Sequence, residues 1–215
     1  DAYFLLDGTT GQVLVDHNGD LSLPPASLTK IMTSYVLAEE VDAGRASLDD
    51  MIKVSRNAWS QNPTFKGSSL MWIEPGKPLS LADLERGVVI SSGNDASVAV
   101  AEHLAGTESS FVDVMNQLAA ELGLNNTVYR NPHGLPHPEH RTTARDLATL
   151  SVALIKGHPE HYKIYKERSF TYNGIKQYNR NSLLRSDATV DGLKTGYTSE
   201  AGYGLVASAQ REDMR

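Results

Sequence analysis

Three short groups of residues in this chain of 215 place hydroxyls and amines where acyl chemistry would need them: Ser27-Leu28-Thr29-Lys30, Ser92-Gly93-Asn94 and Lys194-Thr195-Gly196. A serine hydroxyl alone is a poor nucleophile. On a helix, residues three apart share a face, so Lys30 would lie one turn beyond the Ser27 hydroxyl. Its amine takes the serine proton only when the ammonium is destabilised by burial or by a nearby positive charge, which Lys194 can supply. The start of the helix adds a positive field and a free N–H suited to a developing oxyanion. Ser92 could relay a proton to a departing amine, and the Asn94 amide could hold a substrate backbone. On a strand, Lys194 and Gly196 share one face and Thr195 the other. A lysine beside a hydroxyl suits a carboxylate, and an exposed strand edge suits an extended peptide. Each group also has a purely structural reading: Ser27 as a helix cap with a solvated Lys30, Gly93 as a turn with Asn94 capping the next helix, and Lys-Thr-Gly as a β-bend. Ser55-Arg56-Asn57 and Ser60-Gln61-Asn62 fit the second pattern equally well, so position in the fold has to choose.

The elements that would position these groups follow from periodicity and punctuation. Tyr3 to Asp16 contains two β-prone runs around Gly8-Thr9-Thr10-Gly11, a hairpin. After Pro24-Pro25, apolar residues recur at helical spacing from Ala26 to Glu40, a helix starting within a residue or two of Ser27. Further helices are predicted over 81–90, 96–105, 110–122 and 144–156. Ser80 and Ser109 are plausible N-caps, and Gly106 and Gly123 fit the left-handed residue after a helix end. Past residue 165 strands take over: 169–172 and 175–178 flank Asn173-Gly174, a strong hairpin signal, and 191–197 and 202–209 follow. The fold class expected is α+β, an antiparallel sheet built from both chain ends with a helical subdomain inserted between. Residues 1–41 and 151–215 would form the sheet subdomain and 42–150 the helical one.

Composition narrows the function. Twenty Lys and Arg against 26 Asp and Glu give a formal charge of −6 with no basic stripe, which argues against nucleic acid as a partner. No apolar run approaches the ~18 residues of a membrane span. With no cysteine there is no thiol nucleophile, thiolate site or disulfide. His133, His137 and His140, with His158 and His161 beyond, raise the thought of zinc, but there is no H-E-x-x-H helix and Pro132, Pro136 and Pro138 mark a loop. No metal or cofactor is expected.

The three groups, in this order, resemble the motifs S-x-x-K, S-x-N and K-[ST]-G of the penicillin-recognising enzymes. The resemblance is closer to the low-molecular-mass penicillin-binding proteins, the D-alanyl-D-alanine carboxypeptidases, and runs along nearly the whole chain. It includes Pro25 to Tyr35, Phe65-Lys66-Gly67-Ser68-Ser69-Leu70-Met71, Ser92 to Ala96, His133-Gly134-Leu135, Asn179-Arg180-Asn181 and Val190 to Tyr197. It implies a serine-type D-Ala-D-Ala carboxypeptidase of the β-lactamase/transpeptidase-like fold, acting on peptidoglycan stem peptides and acylated by β-lactams. Ser27 would be the nucleophile, Lys30 the base and Ser92 the proton relay. Lys194, Thr195 and Arg180 would meet the substrate carboxylate and Asn94 its amide region. Gly196 belongs to the substrate-binding strand, and the N–H groups of Ser27 and Tyr197 would form the oxyanion hole. The implied location is periplasmic, on the outer face of the bacterial inner membrane.

Two neighbouring activities share the motifs. A class A β-lactamase needs a glutamate for deacylation, and Glu121-Leu122-Gly123-Leu124-Asn125 fits its E-x-x-L-N pattern, but Gly123 reads as a helix end. A penicillin-sensing receptor domain would be acylated only once. Tyr197 stands where histidine is common in close relatives. Family members also continue beyond the position of Arg215 with a strand that completes the sheet and, later, a membrane anchor. The expectation is therefore a sheet whose remaining strand comes from another segment or chain, and membrane contact only through an anchor outside these residues.

Overall fold

The computed structural model describes residues 1–215. Strands β1 (Tyr3–Leu6) and β2 (Val13–His17) form the expected antiparallel hairpin. A 3-10 turn over Ala26–Thr29 leads directly into helix α1 (Lys30–Asp42), so Ser27 sits on the approach to α1 and Lys30 is its first residue. Every residue of α1 from Lys30 to Ala38 is buried, which makes it the central helix of the core instead of an amphipathic surface helix.

Helix α2 (Leu81–Arg86) starts at a reciprocal capping box between Ser80 and Asp83, a device worth about 1 kcal/mol. The predicted single helix to Ile90 instead widens at Gly87 into a π-turn over Gly87–Ser91. A Cβ on Gly87 would lie 2.2 Å from the Met71 sulfur, so a larger residue there would have to displace the buried Met71 side chain. Helix α3 (Asn94–Ala105) begins two residues earlier than expected, with Gly93 at its N-cap. Helix α4 (Glu108–Glu121) is capped by the Thr107 hydroxyl, which accepts the Ser110 N–H. Ser109, the expected cap, is therefore inside the first turn: threonine and serine are alike as caps, and sequence alone leaves the choice between them open. Gly106 and Gly123 do take positive φ after α3 and α4.

Helix α5 (Ala144–Gly157) is capped by Thr143, and the short α6 (Pro159–Tyr162) follows. Strands β3 (Ser169–Tyr172) and β4 (Ile175–Tyr178) close on Asn173 and Gly174, both at positive φ, as the tight turn requires. After the single turn α7 (Leu183–Ser186), strands β5 (Val190–Thr198) and β6 (Gly202–Ala209) pair in register from Leu193↔Ala207 to Thr198↔Gly202.

α1 packs against α3, α4, α5 and β5, which brings the beginnings of α1 and α3 and the middle of β5 together. The hairpins from the two chain ends are each antiparallel, but no strand of one bonds to a strand of the other. They flank a groove of about 970 Å³ lined by Tyr3 to Leu6 on one side and Leu205 to Ala209 on the other.

Candidate active site

The nucleophile candidate is held on a strained turn. Ala26, immediately before Ser27, has φ +48°, a left-handed conformation unfavourable to any residue with a Cβ. The loop from Asn131 to His140 braces it from behind. Gly134, at φ +90°, lies so close that a Cβ there would sit 1.8 Å from the Ala26 carbonyl oxygen. The loop is itself folded around Asn131, whose side chain accepts the Gly134 N–H at 2.7 Å and donates to the Leu135 carbonyl at 3.0 Å. Three residues on one side of the helical start tie it down: Thr29 to His140 at 2.9 Å, Lys30 to the His133 carbonyl at 2.6 Å, and Thr33 to the Pro132 carbonyl at 2.6 Å.

Lys30 is fully buried, and its amine has three neighbours: Ser27 Oγ at 3.0 Å, Asn94 Oδ1 at 2.7 Å and the His133 carbonyl oxygen at 2.6 Å. Burial, then the charges of Lys194 and Arg180, hold it well below the ordinary lysine range, with Asp95 opposing them. A neutral amine has two N–H bonds and one lone pair. Asn94 Oδ1 and the His133 carbonyl can only accept, so they take both hydrogens. The lone pair is left for the Ser27 hydroxyl, the arrangement a general base requires.

Ser92 ends the π-turn at φ +60°, another left-handed non-glycine residue. Its hydroxyl is buried and bonds to no protein group. Asn94, two residues on, uses its side chain on Lys30 and its N–H on the Ser69 carbonyl at 2.8 Å. The rival patterns fall elsewhere: Asn57 reaches Glu102 and Glu108 on the surface, and Asn62 caps a short turn.

Lys194 is buried on β5, and burial together with Arg180 pushes it down to about 7. Gly196 lets this strand press on the nucleophile turn, since a Cβ would fall 3.2 Å from both the Leu28 N and the Pro25 carbonyl oxygen. Thr195 is half-buried on the other face. Tyr197 is exposed, its ring 4.5 Å from that of Tyr203 across the hairpin. Arg180 is also exposed, and its Nη1 donates to Ser69 Oγ at 2.6 Å. Ser27, Lys30 and Asn94 are thus hydrogen-bonded together, Lys194 and Arg180 lie near enough to bear on the Lys30 charge, and Ser92 stands two residues before Asn94 in the chain.

Four contributors were not legible as such in the sequence. The His133 carbonyl is backbone and carries no side-chain signal. Asp95 is buried and accepts N–H bonds from Met71, Trp72, Ile73 and Ala96 at 2.8 to 3.1 Å, fastening the 71–73 segment beside Asn94. Ser69 looks like any loop serine. Asn181 donates to the Gly192 carbonyl at 3.0 Å, seating the Arg180 turn on β5; the one available hint was a cation between two asparagines.

The five histidines weighed as zinc ligands fall in two places, with His137 exposed on the loop that also carries His133 and His140. His133 and His140 lie behind the nucleophile turn, and burial lowers them to about 3 and about 4. His158 and His161 pair with Asp42, Glu39 and Glu85 at the far end of α1. Glu121 ends α4 on the surface, bonded to Gln117, as a helix-end reading of Gly123 requires.

Comparison with known proteins agrees along the whole chain. Residues 1–215 match the family described as D-alanyl-D-alanine carboxypeptidase. The D-alanyl-D-alanine carboxypeptidase DacC of Escherichia coli is 51% identical over 216 residues, covering 100% of this chain and 54% of that protein. The structure of penicillin binding protein 5 from Haemophilus influenzae superposes with a TM-score of 0.96 at 45% identity, covering 99% of this chain and 62% of that one. Penicillin-Binding Protein D2 of Listeria monocytogenes, in its cefotaxime-bound form, superposes at 0.88 with 31% identity over 99% of this chain and 85% of that one. The chain spans about half the length of the curated relatives it matches.

Proposed function

Because the chain belongs to the D-alanyl-D-alanine carboxypeptidase family, we propose that it removes the terminal D-alanine from peptidoglycan pentapeptides through a serine acyl-enzyme. The observation that carries this reading is the Lys30 amine, buried, flanked by two pure acceptors and 3.0 Å from Ser27 Oγ.

Ser27 Oγ attacks the carbonyl carbon of the D-Ala-D-Ala bond while its proton passes to Lys30. The oxyanion is met by the N–H groups of Ser27 and Tyr197. Ser92, whose hydroxyl has no protein partner, hands a proton to the departing amine as the C–N bond breaks, and is resupplied from Lys30. D-Alanine leaves, and water cleaves the acyl ester. Lys194, Thr195 and Arg180 hold the terminal carboxylate, and the Asn94 amide N–H₂ serves the peptide side. A β-lactam acylates the same serine, since its strained amide and carboxylate mimic the dipeptide terminus. The Listeria relative seen with cefotaxime supports this.

The reading also places the protein at the outer face of the bacterial inner membrane; no helix of the chain is long and apolar enough to cross a membrane. The groove between β1 and β6, with strand edges on both sides and apolar walls, suits one further extended segment that would join the two hairpins into a single sheet.

Release of D-alanine from diacetyl-Lys-D-Ala-D-Ala, with Ser27→Ala as control, tests the proposal. Many turnovers per protein, lost in the variant, support it. A single acylation by fluorescent penicillin with no peptide turnover would instead indicate a sensor, and rapid nitrocefin turnover a β-lactamase.

A further inference from the structure

Arg180 is the exposed member of the cationic trio. Lys30 and Lys194 are walled in by the core, but an arginine side chain in solvent samples many rotamers, and each one frozen on binding costs affinity. Its backbone is fixed: Asn179 donates to the carbonyls of Tyr165 and Glu167, Asn181 donates to that of Gly192, and Asn179 Oδ1 accepts the Asn181 N–H. The guanidinium itself is held by a neutral hydroxyl, Ser69 Oγ at 2.6 Å, and by no carboxylate. A carboxylate partner would neutralise the charge that the substrate needs, whereas a hydroxyl orients it and leaves the charge intact.

Ser69 is in turn held from three sides. Its carbonyl accepts the N–H of Asn94, the 71–73 amides close on Asp95, and Gln177 donates to the Met71 carbonyl at 2.9 Å. Trp72, inside this strap, takes φ +71°, a strain kept because the Asp95 carboxylate over-determines the segment. One residue therefore joins the second motif, through its backbone, to the carboxylate-binding arginine, through its side chain.

We propose that Ser69 is a positioning residue that presets Arg180 for the carboxylate terminus of the substrate. This inference rests on the functional reading above and adds to it the source of carboxylate specificity. In Ser69→Ala, Arg180 loses its tether before substrate arrives. KM for diacetyl-Lys-D-Ala-D-Ala rises ~5- to 10-fold while kcat stays within about twofold, the signature of lost uniform binding. Ser69→Thr, which keeps the hydroxyl, restores KM to within about twofold. In an Arg180→Gln background, Ser69→Ala adds less than about twofold, because the group it orients is gone. Thermal midpoints of all variants separate folding loss from binding loss.

The proposal is overturned if Ser69→Ala costs the same factor with and without Arg180, or if the loss falls on kcat with KM unchanged. Should the wild type take fluorescent penicillin but release no D-alanine, the same coupling is read on the rate of Ser27 labelling. If the wild type shows no Ser27-dependent label at all, the functional reading fails and this inference fails with it. A fully active wild type with an uncoupled Ser69 sinks the inference alone.

Discussion

The Lys30 amine lies 2.6 Å from the carbonyl oxygen of His133, a residue 103 positions later in the chain. With Asn94 Oδ1 at 2.7 Å, this carbonyl consumes both hydrogens of a neutral amine and turns its lone pair toward Ser27. A loop carbonyl thereby decides which way the lone pair of this buried lysine faces.

Replacing Lys30 by methionine keeps the length of the side chain and removes the lone pair. Labelling of Ser27 by fluorescent penicillin is expected to slow by ~10²- to 10⁴-fold, the usual worth of a general base. Raising the pH does not recover it. Recovery at alkaline pH would mean that the serine is activated by another group.

Ser92→Ala separates chemistry from stability. Its hydroxyl is buried without a protein partner, so its removal leaves no group newly unpaired and shifts the unfolding free energy by less than about 1 kcal/mol. D-Alanine release is expected to fall by ~10²-fold or more. Denaturant midpoints measured beside turnover check both halves, and a large loss of stability with intact turnover would refute the relay role.

Much of this site was readable before any coordinates. Ser27 and Lys30 three apart, and Lys194 and Gly196 two apart, state their shared faces through helix and strand period alone. Asn173-Gly174 announces its hairpin because only a few residue types accept two successive positive φ angles. What stayed hidden was supplied by backbone or by distance. The His133 carbonyl has no side-chain signature, the Asp95 clamp looks like an acidic residue in a first helical turn, and the close packing of Met71 on Gly87 comes from another segment.

The pH dependence follows from two lysines with opposite requirements. Lys30 must be neutral to accept the Ser27 proton, so kcat/KM falls on the acid side as it becomes protonated. Lys194 must be charged to hold a carboxylate, so kcat/KM falls on the alkaline side as it deprotonates from a value pushed down to about 7 in the free protein. Burial depresses both most; Arg180 comes next for Lys194, and for Lys30 it follows the charge of Lys194. Arg180→Gln removes that repulsion, so both ammonium forms persist to higher pH and both limbs of the profile move upward. A shift of either limb to lower pH would contradict the arrangement.

Gly134→Ala tests the brace behind Ser27. The added Cβ would overlap the Ala26 carbonyl oxygen and would also sit at a positive φ. Such strain costs about 1 to 3 kcal/mol even before the clash is relieved. Moving Ala26 moves Ser27, so labelling is expected to drop by ~10-fold or more, a misplacement effect. Circular dichroism should show the helices retained, and unchanged labelling would show that the brace is dispensable.

The same loop makes the fold sensitive to acid. His133 Nδ1 accepts the Leu135 N–H and His140 Nδ1 accepts the Arg130 N–H, so a proton on either ring displaces a backbone hydrogen bond as well as burying a charge. Their folded values, about 3 and about 4, lie below the ordinary histidine value of 6.5. As pH falls below that ordinary value the unfolded chain takes up protons that the folded chain refuses, and stability drops until pH reaches the folded values. Each histidine contributes a slope of about 1.4 kcal/mol per pH unit across that window. Urea midpoints at pH 7 and pH 5 measure the loss. In His140→Asn, whose side-chain oxygen can take the Arg130 N–H without titrating, the fall between the two pH values is expected to be smaller by about the contribution of one histidine. An equal fall in wild type and variant would place the acid sensitivity elsewhere. Because this loop carries the carbonyl that orients Lys30, Ser27 labelling should decline over the same pH range as the loop loosens.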